Sequence, residues 1–252
     1  MKYAVLVKLK VPYGISVYYP QASITAPTYP LPPPTTLVGA LAYPYLRKST
    51  NSEVEVIGSK LYSPARRLLN SVLYASAGAE GYFRFRDIER LFQMIYMRKE
   101  HWDKPEMFYT VGVRGVTYYL DENLYVLYIV SNPSLLNYVY GIVRLGRKES
   151  IVVVEDITAK ELKDVVKAVD RGGFITSFYF PTRIAAYCPE GIAHVMPMPK
   201  LSEVNFTSTR SPETEEYCVP YKEIYSELKM GGAIISINGF EIPIPKEVIE
   251  NV

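Results

Sequence analysis

Tyr3, Val5, Val7 and Leu9 alternate with Lys2, Ala4, Leu6, Lys8 and Lys10, so the chain opens on a period-2 strand with one apolar and one basic face. Pro20 to Pro34 follows as a proline-rich stretch ending Tyr29-Pro-Leu-Pro-Pro-Pro34. Proline fixes φ and biases the residue before it towards extended geometry, which predicts a stiff arm. Thr35 or Thr36 then caps a short helix through Leu37, Val38, Ala40 and Leu41, with Gly39 allowing close packing. Residues 47–110 read as a strand over Ser71–Ala77, a basic-aromatic segment Tyr82–Arg86 and a helix from Asp87 to Arg98.

Val113–Leu120 and Leu124–Val130 are β-rich runs joined by Asp121-Glu-Asn123, a hairpin pattern. Asn132 and Pro133 start a helix whose Leu135, Leu136, Val139, Ile142 and Val143 share a face, Gly146 suits its C′ position, and Ile151–Val154 returns as a strand. This order predicts an α+β fold, an RRM/ferredoxin-like βαββαβ domain over residues 1–156 with an insertion at about 81–110. Residues 157–252 predict a smaller, β-rich C-terminal domain. Thr158 and Glu161 form a capping box for a helix bearing Leu162, Val165, Val166 and Val169, stopped by Gly172-Gly173. Phe174–Phe180 is strand-like, and Ala233–Ile237 and Phe240–Ile244 flank Asn238-Gly239, the strongest hairpin signal in the chain.

Composition narrows the class. Of 252 residues 48% are hydrophobic and 21% charged, with a net charge of +2, which excludes intrinsic disorder. The most continuous apolar run, Leu124–Val130, is seven residues, against the ~20 a spanning helix needs. Lys8 and Lys10 interrupt any signal-peptide core, so the expectation is a soluble, cytoplasmic protein without a membrane partner. Cys188 and Cys218 make neither a metal pattern nor a disulfide framework. The small net charge conceals a split. Residues 1–150 carry 18 Lys and Arg against 11 Asp and Glu (+7), and residues 151–252 carry 10 against 15 (−5). A polyanion is therefore expected to meet the first part.

Catalytic patterns are sparse. His101 and His194 are the only histidines, no metal-ligand spacing surrounds them, and no phosphate-binding loop or nucleophile elbow occurs, so neither metal nor cofactor is expected. Tyr96, Lys99, His101 and Lys104 are the one set a metal-independent ribonuclease could use, but they fall in a polar stretch that reads as a solvated helix end. Binding features are richer. Arg66, Arg67, Arg84, Arg86, Arg114, Arg147 and Lys148 interleave with Tyr62, Tyr82, Phe83 and Phe85. Guanidiniums for phosphates beside aromatic faces for unstacked bases is how single-stranded RNA is held.

Two motifs carry a family resemblance. Tyr29-Pro-Leu-Pro-Pro-Pro-Thr-Thr-Leu-Val-Gly-Ala-Leu-Ala42, after a basic strand, resembles the signature of the CRISPR-associated Cas-five family of the RAMP superfamily, in its archaeal type I-A branch. Leu145-Gly-Arg-Lys-Glu-Ser150 resembles that family's second landmark. The resemblance implies a non-catalytic subunit that grips the 5′ handle of a CRISPR RNA and caps a Cascade surveillance complex in antiviral defence. The implied partners are that RNA, the backbone RAMP subunit of the Cas-seven family and the large subunit. A branch of the family instead cuts precursor CRISPR RNA, which is the alternative. By the same resemblance the insertion is a thumb. The candidate RNA contacts are Lys8, Lys10, Thr35, Thr36, Arg66, Arg67, Phe83, Arg84, Phe85, Arg86, Arg114, Arg147 and Lys148.

Overall fold

The computed structural model describes residues 1–19, 27–48, 52–79, 84–94, 103–104, 109–119, 123–207 and 212–250. The fold mixes α and β and is rich in strand. Its centre is a four-stranded antiparallel sheet in the order Val72–Gly78, Asn123–Val130, Tyr3–Lys10, Val153–Glu161. Helix Pro34–Leu46 follows the first strand in the chain and packs Leu37, Val38 and Leu41 into the core shared by Val5, Val7 and Leu9. The expected basic face of the first strand does not exist. Ala4 and Leu6 are buried in a second core with Ile235, Ile242 and Ile244, because the C-terminal hairpin covers that side. Lysines remain only at the strand's ends. No helix among the described residues is long and apolar enough to cross a membrane.

The C-terminal end of the proline arm is core, and residues 20–26 of it lie outside the described residues. Tyr29 through Pro34 is buried throughout. Prolines donate no backbone hydrogen bond, so the arm builds no ladder, yet its buried carbonyls still need donors. Tyrosines supply them: the Tyr119 hydroxyl donates to Pro30 O at 2.9 Å and Tyr179 to Pro32 O at 3.0 Å, while Tyr128 donates to Leu37 O at 2.9 Å in the helix that follows. Thr117 Oγ1 donates to Tyr29 O at 3.1 Å. Several of the chain's many tyrosines are thus matched to a segment unable to satisfy itself. Tyr179→Phe should orphan the Pro32 carbonyl and cost ~1–3 kcal/mol. Tyr225→Phe, at a half-exposed site, should stay within about 0.5 kcal/mol. Urea midpoints at unchanged slope check the pair.

Several predicted elements resolve differently. The described part of the helix expected over Asp87–Arg98 is instead in strand Arg84–Met94, paired along its length with Tyr109–Tyr119, and residues 95–98 lie outside the described residues. That partner takes residues 113–119 of the expected hairpin, whose residues 120–122 lie outside the described residues, and Asn123–Val130 pairs with the first strand and with Val72–Gly78. The helix after Asn132 shrinks to a 3-10 turn, Pro133–Leu135, and one α turn, Leu136–Val139. Asn132 does cap it, its side chain accepting from Ser134 N at 3.0 Å. Leu135, Val139 and Ile142 are buried as the pattern requires, but Val143 is exposed, since the chain there turns back so that Val152 N reaches Val143 O. The returning strand therefore starts at Val153.

Thr158 and Glu161 lie in that strand and form no capping box. Only Leu162–Val165 is helical, and Val166–Val169 is a strand on Gly232–Ile237. Phe174–Phe180 divides into Gly173–Thr176 and Phe180–Pro181, in separate sheets. The Asn238-Gly239 turn forms as read, joining Gly232–Ile237 to Phe240–Pro245 with positive φ at both residues. The cysteines form a disulfide, Cys188–Cys218, with Cα atoms 5.6 Å apart. Spacing alone concealed it because the pairing is set by sheet register: Cys218 sits in strand Thr214–Pro220, opposite both Phe180 and Val195.

Candidate nucleic-acid interface

Three segments far apart in sequence meet at Ser16. The turn after the first strand is closed by Gly14 N on Val11 O at 3.3 Å. Gly14 has φ +66°, and a Cβ there would fall 2.6 Å from Thr117 O and 2.9 Å from the Tyr118 ring. Only glycine lets the turn press so closely on strand Tyr109–Tyr119, where Ile15 and Thr117 exchange both backbone hydrogen bonds at 2.8 Å. The third segment is Leu145–Ser150. Gly146, at φ +81°, packs where a Cβ would lie 2.6 Å from Ser16 O. Arg147 N donates to Ser16 O at 3.2 Å, and Ser150 Oγ accepts from Ser16 N at 3.0 Å. Gly146 therefore serves this junction, not a helix terminus.

Around the junction lies a cleft of about 270 Å³ lined by Pro12, Tyr13, Ser16, Arg114, Val116, Tyr118, Glu149 and Ser150. Arg114 Nη1 lies 3.1 Å from Glu149 Oε2; the arginine side chain is 11% exposed and the glutamate 62%. Arg147 is half-buried and Lys148 exposed on the same turn, and neither has an acidic partner within ion-pair distance among the described residues. A groove of about 560 Å³ runs along helix Pro34–Leu46 past Gly39, Tyr43 and Arg47 to Arg144, whose guanidinium sits 4.7 Å above the Tyr43 ring. Towards the helix start it meets a cleft of about 480 Å³ containing Thr35, Thr36 and Gly39. Gly39 does not serve close packing: a Cβ there would meet no atom within 4 Å. The segment Arg144–Ser150 links this groove to the smaller cleft.

The other expected residues scatter. Lys8 is paired with Glu155 at 3.1 Å, and Lys10 ends its strand between Asn123 and Val153. Pro33, not a threonine, is the N-cap. With Pro33 and Pro34 lacking N–H groups, and Thr36 N and Leu37 N both donating to Pro33 O, only the Thr35 amide of the first turn has no partner among the described residues. That is a poor cradle for phosphate. Arg66 is held by Glu55 at 3.0 Å and Glu203 at 2.7 Å and lies over the Tyr62 ring; the Glu55 hydrogen bond keeps its pKa above the ordinary value. Arg67 shares Glu55. Arg84, Phe85 and Arg86 occupy register positions opposite Tyr119, Tyr118 and Thr117. Phe83, Tyr96, Lys99 and His101 lie outside the described residues, and Lys104 is exposed.

Of the expected contacts, then, the fold assembles Arg114, Arg147 and Lys148. Sequence reasoning missed Tyr13, Ser16, Tyr118, Glu149 and the Arg144–Tyr43 stack. The one local signal for Tyr13 is its place before glycine in Val11-Pro-Tyr-Gly14, an exposed aromatic in a forced turn.

Comparison with known proteins agrees with the motifs. The chain is 34% identical over 175 residues to the "CRISPR system aCascade subunit Cas5 1" of Saccharolobus solfataricus, covering 68% of this chain and 69% of that one. It is also 34% identical over 176 residues, with the same coverage, to "CRISPR-associated protein Cas5 3" of that organism. A crystal structure of a CRISPR protein from Archaeoglobus fulgidus shares the fold over 96% of this chain and 98% of its own, with TM-score 0.54 at 16% identity. No family model matches.

Proposed function

This chain belongs to the Cas5 family, and from that premise we propose that it is the non-catalytic subunit of an archaeal type I-A Cascade that binds the 5′ handle of the CRISPR RNA. It caps one end of the assembly in the cytoplasm, beside a backbone subunit of the Cas-seven family and the large subunit. The observation that carries this reading is the junction at Ser16. It sets Arg147 and Lys148, on the turn that carries Glu149 and Ser150, next to the cleft lined by Tyr13 and Tyr118, cations for phosphates next to rings for unstacked bases. The core is read as RRM/ferredoxin-like, supported by the sheet order and by the helix after the first strand. The division into residues 1–156 and 157–252 belongs to the same proposal. The ribbon Arg84–Met94 with Tyr109–Tyr119, inserted between two core strands, is the thumb.

The test is a shift assay with labelled repeat RNA and purified protein in chelator. Binding should show a log K against log salt slope of about −1 to −3, a few phosphate contacts on a single strand. Arg147→Ala with Lys148→Ala should flatten that slope by about 1.4 and weaken binding roughly tenfold. An unchanged slope would remove this turn from the interface. A defined metal-independent cut, lost in His101→Ala while binding persists, would establish the ribonuclease alternative instead.

A further inference from the structure

The cleft beside Ser16 is more selective than a phosphate track. At about 270 Å³ it falls just under the ~300–1,000 Å³ typical of sites for drug-sized ligands, so it has room for one planar ring system. Its charge is already balanced: Arg114, nearly buried, is answered by Glu149 at 3.1 Å. A phosphate entering here would meet the carboxylate, and Arg147 and Lys148, which have no acidic partner among the described residues, sit on the adjoining turn. Aromatic surface lines the cleft through Tyr13, 64% exposed, and through Tyr118, whose ring edge is fixed against Gly14.

We propose that this cleft takes one nucleobase extruded from a bound RNA strand, with Glu149 selecting guanine. The inference rests on the RNA-binding reading above and adds base identity to it. Arg114 fixes one carboxylate oxygen, and the glutamate's exposed side remains open to donors. An ionised carboxylate only accepts hydrogen bonds. Guanine alone presents two adjacent donors, N1–H and the N2 amino group, on its Watson–Crick edge. Uracil offers one donor between two carbonyls, and adenine and cytosine set an acceptor nitrogen beside their amino group, facing the carboxylate. Stacking on a tyrosine ring favours any base, so the glutamate supplies the discrimination.

Fluorescence anisotropy on the full chain decides this. The probes are a uridine dodecamer and three relatives in which a central uridine is replaced by guanosine, adenosine or cytidine, at one salt concentration. Guanosine should tighten binding at least tenfold over uridine, equivalent to 1.4 kcal/mol, and adenosine or cytidine less than about threefold. Glu149→Gln should reduce the guanosine-to-uridine ratio below about threefold, because an amide replaces one acceptor by a donor. Tyr13→Ala should weaken the guanosine probe. Equal binding of all four probes by the wild-type protein would overturn the base cleft and leave the RNA-binding reading standing. A full guanosine preference in Glu149→Gln would overturn the role of the glutamate. No binding of any probe would overturn the RNA-binding reading itself.

Discussion

Raised above pH 10, the protein should unfold steeply, losing about 7 kcal/mol of stability per pH unit. Five tyrosines, Tyr29, Tyr74, Tyr128, Tyr179 and Tyr217, have hydroxyls pushed well above the ordinary phenol value, chiefly because burial penalises the phenolate. Neighbouring phenols add to the effect at Tyr29, Tyr74 and Tyr179. The sign is fixed by which state keeps its protons. A tyrosine in the unfolded chain titrates near 10, whereas these five stay protonated in the native state. Their contribution is complete below pH 10 and declines as pH rises towards the native values. Each loses ~1–2 kcal/mol by pH 11 and ~2–3 by pH 12. Five together remove about 7 and then about 14 kcal/mol, against a typical total of ~5–15. The midpoint should fall between about pH 11 and 12. Circular dichroism recorded with phenolate absorbance tests this: a block of phenols should ionise cooperatively as the dichroism collapses. Smooth ionisation of all the tyrosines near pH 10, with dichroism intact, would contradict it.

The same tyrosines mark what could and could not be read from the residues. The arm Tyr29–Pro34 was recognisable as stiff, but stiffness does not say where a segment lies. Its burial depends on hydroxyls from Tyr119 and Tyr179, 89 and 147 residues beyond the carbonyls they bond. Elements fixed by local chemistry were legible: the first strand, Val72–Gly78, Asn123–Val130, the helix behind the prolines and the Asn238-Gly239 turn. Elements with two compatible periods were not. Leu162, Val165, Val166 and Val169 fit one helical face, yet Val166–Val169 is drawn into a strand by Gly232–Ile237. Asp87–Arg98 carries charges at helical spacing, and Tyr109–Tyr119 overrides it with a continuous ladder.

The interface divides on similar lines. Leu145–Ser150 stood out as a motif, and Arg114, Arg147 and Lys148 converge on it or lie within it. Arg66, Arg67 and Lys8 looked equivalent by composition but are engaged by Glu55, Glu203 and Glu155, as Arg114 is by Glu149. Counting basic residues cannot distinguish a cation facing solvent from one neutralised within the fold. Tyr13 and Tyr118 are about a hundred residues apart, and only the Gly14 turn brings them to one cleft.

Replacing Cys188 and Cys218 with serine should cost ~3–4 kcal/mol, the chain-entropy value for a cross-link spanning about 30 residues. The disulfide closes the loop between Phe180–Pro181 and Thr214–Pro220, and Cys218 is buried with Phe174, Phe180 and Ile224. Ile234 belongs to that same small core, while its neighbour Ile235 faces the core over Ala4 and Leu6. Loosening the cross-link therefore weakens the layer that covers one side of the central sheet. The cleft beside Ser16 rests on the other core, through Val11, Ile15 and Leu145, which the disulfide strand reaches only through Tyr217 and Val219 on either side of Cys218. Below its melting temperature the double variant should consequently bind the uridine dodecamer within about twofold of the wild type, since sites without shared contacts behave independently. Urea titration with and without a thiol reductant checks the stability term. The reductant should destabilise the wild type by the same ~3–4 kcal/mol and leave the double variant unmoved. A wild type indifferent to reductant would show that the two cysteines are not joined in solution.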